Sequence, residues 1–274
     1  MIVFPNCKIN LGLNILGKRA DGYHNLETIF FPLPFYDVLE VVLAANAAAP
    51  YTLAVTGMEL EGNIENNLCV KAYKLLKQDF PHLPAVHIHL HKSIPAGAGL
   101  GGGSADGAFM LMLLNDKFKL HLTEHTLLKY AFALGSDCPF FIINQPCLGQ
   151  QRGEMLHPLV LDLSAYKIVI INPGIHVNTG WAFTQFTFSE SRNLQTAVTQ
   201  PVEEWKQRLT NDFELPVFEK YPAIKKLKEQ LYQQNALYAS MSGSGSTVFG
   251  IFRKDVLINY HDLPPGSFVK EMDL

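Results

Sequence analysis

Apolar positions recur along this chain with two periods, and the periods separate strands from helices. Between residues 8 and 16 every second side chain is apolar, the spacing of a half-buried strand. Ala20-Asp21-Gly22 is turn chemistry, and 24–33 reads as the returning strand. Residues 37–43 and 86–91 read as further strands. Helical spacing appears at 66–80, where Leu68, Ala72, Leu75 and Leu76 fall on one side. Residues 104–118 and 123–134 read as two more helices, the second capped by Thr123 and ended by Gly135.

Near Pro158 the pattern starts afresh. Tyr166–Asn172 reads as a short buried strand stopped by Pro173-Gly174. Residues 179–186 and 202–209 read as helices. Residues 222–235 are amphipathic, with Ile224, Leu227 and Leu231 on one side, and 238–241 and 247–252 read as strands. Strands and helices mix without strict alternation, so the expected class is α+β and not a doubly wound sheet. The expected domains are 1–157 and 158–274.

A cluster of glycines interrupts the pattern between strand 86–91 and helix 104–118. The stretch Pro95-Ala96-Gly97-Ala98-Gly99-Leu100-Gly101-Gly102-Gly103-Ser104-Ala105-Asp106 has five glycines in seven positions. Glycine is costly to order, so such a cluster needs close backbone approach to something. Backbone N–H groups running into a helix N-terminus bind anions, most often phosphate. Gly97, Gly99 and Gly102 match a dinucleotide fingerprint in outline, but residues 122–125 read as a helix start where that fingerprint wants a second strand and its acidic residue. A Walker A loop is excluded because no lysine follows the last glycine. The protein-kinase set is excluded because V-A-I-K, H-R-D and D-F-G are missing.

The stretch resembles the central motif of the GHMP kinases, P-x-x-x-G-L-G-S/G-S-S/A. Pro5-Asn6-Cys7-Lys8-Ile9-Asn10-Leu11 resembles their P-x-K-x-N-L strand, with Cys7 where alanine is usual. Met241-Ser242-Gly243-Ser244-Gly245-Ser246-Thr247 resembles their C-terminal glycine motif. Lys18-Arg19-Ala20-Asp21-Gly22-Tyr23-His24 resembles the G-R-R-x-D-G-Y-H of one branch, which phosphorylates a cytidine-diphosphate ester of methylerythritol in non-mevalonate isoprenoid synthesis. Leu134-Gly135-Ser136-Asp137-Cys138-Pro139-Phe140 and Asn211-Asp212-Phe213-Glu214 resemble two further segments of that branch. Gln151-Arg152-Gly153-Glu154 departs from its G-x-G-E, and the tail after Phe252 is short and proline-containing.

The resemblance implies a two-lobed fold with a ribosomal-S5-like N-terminal lobe and a ferredoxin-like C-terminal lobe. It implies ATP and Mg²⁺ as cofactors, with ATP held by Pro95, Ala96, Gly97, Ala98, Gly99, Leu100, Gly101, Gly102, Gly103, Ser104 and Ala105. It makes Asp137 a general base and Lys8 its partner facing the transferred phosphoryl group. From the residues alone, Lys8 is a solvated lysine at a strand end and Asp137 a helix-start cap. Ser104 either caps its helix or helps hold Mg²⁺, and Asp106 compensates the helix dipole. Tyr23 and Phe183 are expected to form an aromatic slot for the base, with core packing the alternative for Phe183. His24 is expected to bond the cytosine, and Asn10, on the same strand face as Lys8, the substrate hydroxyls.

A net charge of −3 gives no electrostatic case for nucleic acid. No apolar run approaches the roughly 20 residues of a membrane span. The start of the chain lacks a basic head and cleavage site, and Cys7, Cys69, Cys138 and Cys147 form no C-x-x-C pair. These features predict a cytoplasmic protein with reduced thiols, monomeric or weakly homodimeric, whose partner is the small cytidine-diphosphate substrate. His87, His89 and His91 share one strand face opposite Val86, Ile88 and Leu90, and read as an exposed polar face and not a metal site. The rival functions are a mevalonate- or homoserine-type kinase, a dinucleotide-dependent oxidoreductase and an inactive nucleotide-binding module.

Overall fold

The computed structural model describes residues 1–45, 49–60, 62–185 and 192–274. The strands are β1 (Ile2–Val3), β2 (Asn6–Lys18), β3 (His24–Tyr36), β4 (Val38–Leu43), β5 (Tyr51–Gly57), β6 (Val86–Lys92), β7 (Cys147–Gln151), β8 (Met155–Pro158), β9 (Tyr166–Asn172), β10 (Tyr238–Met241), β11 (Val248–Arg253) and β12 (Phe268–Asp273). The α-helices are α1 (Leu68–Asp79), α2 (Gly102–Phe118), α3 (Glu124–Leu134), α4 (Cys138–Ile143), α5 (Thr179–Ala182), α6 (Leu194–Val198), α7 (Trp205–Arg208), α8 (Glu214–Lys220) and α9 (Pro222–Gln233). Two compact units result. The first comprises Met1–Cys7, Phe35–Ala96 and Gly101–Asn144. The second comprises Lys8–Pro34, Gly97–Leu100 and Gln145–Leu274.

In the first unit, a sheet of order β1-β4-β6-β5 is covered on one face by helices. Strand β6 follows its alternation: Val86, Ile88 and Leu90 are buried, and the three histidines are exposed. His87 bonds Thr52, while His89 and His91 both bond Thr56. Helix α3 starts where its cap predicts, with Thr123 Oγ1 accepting from the Thr126 N–H.

The second unit holds two sheets, β2-β3-β7-β8 and β10-β11-β9-β12. Helix α9 begins at Pro222, in the first turn where a missing N–H costs nothing. It buries Ile224, Leu227 and Leu231 in a core shared with Val169, Ile171, Val248 and Phe252. Expected and observed elements differ in places. Residues 202–209 are a 3₁₀ turn (Val202–Glu204) followed by α7, and 179–186 is helical over Thr179–Ala182 only, residue 186 lying outside the described residues. The tail after Phe252 ends in β12, which pairs antiparallel with β9 from Phe268↔Asn172 to Asp273↔Lys167.

One buried ionic cluster ties the first unit together. Lys92, at the end of β6, donates to Asp37 and, at 2.7 Å, to Asp106 on α2. None of the three is more than 2% exposed. Asp37 Oδ1 also accepts the Ser93 and Ile94 N–H groups. Asp106 is therefore more than dipole compensation: it is half of an interior ion pair. Its Oδ1 is a buried acceptor with no hydrogen-bond partner. Burial pushes its carboxyl up to about 7, against the pull of Lys92 and with the help of Asp37.

A carboxyl raised in the folded state stabilises the fold most while it is protonated. Its share of stability is lost as pH rises from the unfolded value, about 4, through the folded value. Asp106→Asn does not titrate. Its stability relative to wild type is expected to rise between pH 5 and pH 8 by on the order of 2 kcal/mol, read from denaturant melts at both pH values. A difference that does not change with pH contradicts this account.

Candidate active site

In the second unit, three distant segments meet at one backbone carbonyl. Lys8 and Asn10 lie two apart on β2, so their side chains share a face. Both are buried. Lys8 Nζ donates to Asn10 Oδ1 at 2.7 Å and to Gly99 O at 3.3 Å, and lies 5.3 Å from the Phe30 ring centroid. Ser242 Oγ, from the C-terminal glycine motif, donates to the same Gly99 O at 2.8 Å. Asn10 Nδ2 donates to Thr28 Oγ1, which donates onward to Gly12 O. The Lys8 N–H holds Leu100 O, and the Thr247 N–H holds Ala98 O. Asn10 Oδ1 and Gly99 O help to fix the direction of the Lys8 ammonium.

Gly99 has to be glycine. Its φ is +81°, and an added Cβ would lie 2.1 Å from Ser242 O. The other glycines of the stretch differ in kind. In the first unit, Gly101 takes φ +71° as the residue that opens α2, and no side chain caps the helix there. A Cβ on Gly102 would press on Ile94 at 2.9 Å. A Cβ on Gly103 would meet nothing within 4 Å. Gly103 is helical, where glycine costs about 1 kcal/mol against alanine, and no protein atom demands it. An uncapped N-terminus beside an open backbone is a seat for an anion.

Helix α2 starts at Gly102, two residues before the expected start, so Ser104 is not its cap. Burial pushes the neighbouring Cys138 thiol up to about 12, with Ser104 pulling the other way. Asp137 holds the N-cap position of α4 and its side chain makes no capping bond there. It is half-buried, between the turn at Gly135 and Cys138-Pro139. Asp137 belongs to the first unit and Lys8 to the second.

The residues expected to form the base slot lie in the second unit. His24 stacks on Phe183, ring centroids 4.9 Å apart and planes 17° from parallel. Phe183 meets Phe213 edge-on at 4.8 Å. Burial, with the charge of Lys18, lowers the His24 imidazole below its usual value and keeps it neutral at pH 7. Tyr23 is half exposed, and Arg152 covers one of its faces.

Each residue of Asn211-Asp212-Phe213-Glu214 has a task. Asn211 Nδ2 donates to Met241 O and Gly243 O, both at 2.8 Å. Asp212 accepts the Ile15 N–H, Phe213 meets Phe183, and Glu214 accepts the Met241 N–H and Ser240 Oγ. These contacts hold β2 and the strand before the C-terminal glycine motif. Reasoning from sequence did not single out Lys92, Thr28 or Arg152. A hydroxyl within a strand's apolar stretch, or a charge beside a glycine loop, is too common a signal to stand alone.

The chain matches the GHMP kinases N terminal domain over residues 67–145 and the GHMP kinases C terminal family over 194–259. It is 50% identical to a 4-diphosphocytidyl-2-C-methyl-D-erythritol kinase of Bacteroides fragilis, over 96% of each chain. The chain belongs to the GHMP kinases, in the branch of 4-diphosphocytidyl-2-C-methyl-D-erythritol kinases. A kinase of the same name from Cytophaga hutchinsonii is 51% identical over 92% of each chain. Among solved structures, a 4-(cytidine 5'-diphospho)-2C-methyl-D-erythritol kinase is similar at TM-score 0.78 and 30% identity, covering 92% of this chain and 90% of that one. The mevalonate kinase of Methanococcus jannaschii shares the fold at TM-score 0.67 and 12% identity, over 93% and 92%. The α+β GHMP kinase fold expected from the motifs is the fold of this chain.

The different glycines of this GHMP kinase make opposite predictions. Gly99→Ala is expected to cost about 2 kcal/mol or more in a denaturant melt, because strain and a backbone clash add. Gly103→Ala is expected to leave the fold as stable or up to about 1 kcal/mol more so. The same change is expected to weaken ATP binding about tenfold, since a methyl then intrudes on the anion seat. Equal ATP affinity for Gly103→Ala and wild type, by calorimetry, would remove the phosphate from that place.

Proposed function

We propose that this chain transfers the γ-phosphoryl group of ATP to the 2-hydroxyl of 4-(cytidine 5'-diphospho)-2-C-methyl-D-erythritol. The observation that carries the reading is Gly103: a glycine inside the first turn of an uncapped helix, with open space where its side chain would be. The N–H groups at the start of α2 hold the phosphates, and the helix dipole adds to their attraction. Pro95 to Leu100 carry the chain into that turn, and Ser104 and Ala105 continue it.

Phosphoryl transfer passes through a loose transition state, so positioning and charge carry most of the catalysis. Mg²⁺ would arrive with ATP and would neutralise charge on the phosphoryl oxygens, with Ser104, in the first turn of α2, the residue that would help to hold it. Lys8, aimed by Asn10 and Gly99 O, meets the charge that develops on the transferred group. Asp137 accepts the hydroxyl proton as the new P–O bond forms. Tyr23, His24 and Phe183 take the cytosine; stacking of this kind is worth roughly 1–3 kcal/mol per base. Asn10 adds contacts to the substrate hydroxyls. The reading places the enzyme in the cytoplasm, as a monomer or weak homodimer without a nucleic-acid partner.

The test is ATP consumption that depends on the cytidylated substrate. Asp137→Asn is expected to lower kcat by about 10²–10⁴-fold with both KM values little changed. Lys8→Ala is expected to lower kcat by about 10²–10³-fold. Turnover of mevalonate or homoserine in place of the cytidylated substrate, or full activity in Asp137→Asn, would refute the assignment.

A further inference from the structure

We infer that Arg152 is a positioning residue for the nucleobase: it backs one face of Tyr23 and leaves the other face as a fixed stacking surface. This rests on the proposed function, in which Tyr23 receives the cytosine. The guanidinium carbon of Arg152 lies 3.6 Å from the Tyr23 ring centroid, a stacked cation–π contact at van der Waals distance. The tyrosine remains 51% exposed, so the contact does not enclose the ring.

Strand register produces the contact. Leu26 of β3 pairs with Gln151 of β7, which sets the tip of the β7–β8 hairpin beside the turn that carries Tyr23. Three residues make that tip. Gln151 leads into it with φ +61°, and Gly153, its middle residue, has φ +107°. The Gly153 N–H donates to Gln150 O at 3.0 Å, and the Arg152 N–H donates to Glu154 Oε2 at 2.8 Å. The backbone beneath the guanidinium is thereby fixed. The Gln151-Arg152-Gly153-Glu154 segment, a departure from the pattern of relatives at its first residue, builds a platform for one side chain.

The opposite element is fixed as well. The Tyr23 N–H donates to Asp21 Oδ1 at 3.1 Å, and Arg19 Nε donates to Asp21 Oδ2 at 3.1 Å. The Arg19 N–H holds Tyr23 O at 2.8 Å. The Tyr23 N–H, then the bond and charge of Arg19 and the charge of Arg152, hold the Asp21 carboxyl below the usual carboxylate range. Tyr23 is tied at its backbone and on one face, and its ring cannot swing without losing the guanidinium. A half-exposed tyrosine otherwise samples several rotamers, and ordering it on binding costs affinity. Arg152 removes that cost for the base, and it acts on binding of the cytidylated substrate without touching the phosphoryl step.

The experiment compares wild type, Arg152→Ala, Arg152→Lys and Arg152→Gln by steady-state kinetics and by calorimetric binding of CDP. For Arg152→Ala, KM for the cytidylated substrate and Kd for CDP are each expected to rise about fivefold, with kcat and KM for ATP within about twofold of wild type. Arg152→Lys, which keeps the charge and loses the planar stack, is expected to fall between. Arg152→Gln keeps the stem and a planar end, and shows the same split should alanine unfold the hairpin. Unchanged KM and CDP affinity would overturn the inference. So would a parallel loss in kcat and both KM values, which marks damage to the hairpin. Wild type that consumes no ATP with the cytidylated substrate refutes the function beneath, and shows itself before any variant is made.

Discussion

The carbonyl oxygen of Gly99 is the constraint on which the second unit's polar site depends. It accepts from Lys8 Nζ and from Ser242 Oγ, groups 234 positions apart in the chain. It is the acceptor that both donors share, and Asn10 Oδ1 takes a second bond from Lys8. The lysine is buried, so a wandering ammonium would lose its solvation without replacement. The serine is fixed in turn by its strand, whose end is gripped by Asn211 and Glu214. Glycine at 99 is the condition for all of this, because any side chain there would strike the Ser242 carbonyl. The three motif segments are therefore parts of one hydrogen-bonded object.

The first unit solves a different problem with Asp37, Lys92 and Asp106. An interior ion pair contributes little net stability against a well-packed apolar alternative, since desolvation offsets attraction. What it supplies here is register. Asp37 holds the N–H groups of Ser93 and Ile94, just before the glycine stretch, and Lys92 reaches Asp106, just after it. The chain entering the stretch and the helix leaving it are fastened to one cluster. The flexible glycines between them then have few conformations left.

Much of this was legible in the chain, and the parts that were not share a cause. Strand β6 and helices α3 and α9 show clear periods and caps, and they appear where expected. Lys8 and Asn10 were placed on one face by the strand period alone. Strand β5 was not foreseen, because its outer positions are as exposed as its inner ones. Helix α4 has six residues, too few for a period. Strand β12 has mixed polar and apolar residues and, among the described residues, pairs with β9 alone. In the site, Asp106 was read by position as a dipole effect because its partner Lys92 lies across a strand–helix packing that no local pattern records. Arg152 was invisible for the same reason: its meaning lies in the register of β3 on β7.

The two ends of the proposed reaction are held with different stiffness, and the difference follows from the chemistry each must do. Lys8, Asn10 and Ser242 are buried; Lys8 and Ser242 donate to the Gly99 carbonyl, and Lys8 also donates to Asn10. A displacement there shifts a charge relative to a transferring phosphoryl group, where rate depends steeply on position. His24 and Phe183 are held by a ring stack, and Tyr23 by the Arg152 guanidinium on one face. Stacking tolerates sliding in plane, so a base can bind with small adjustments and still leave its attached hydroxyl in place. Rigid aim at the phosphoryl end and compliant grip at the base end are what a kinase needs when its acceptor hydroxyl lies a diphosphate away from the group it recognises.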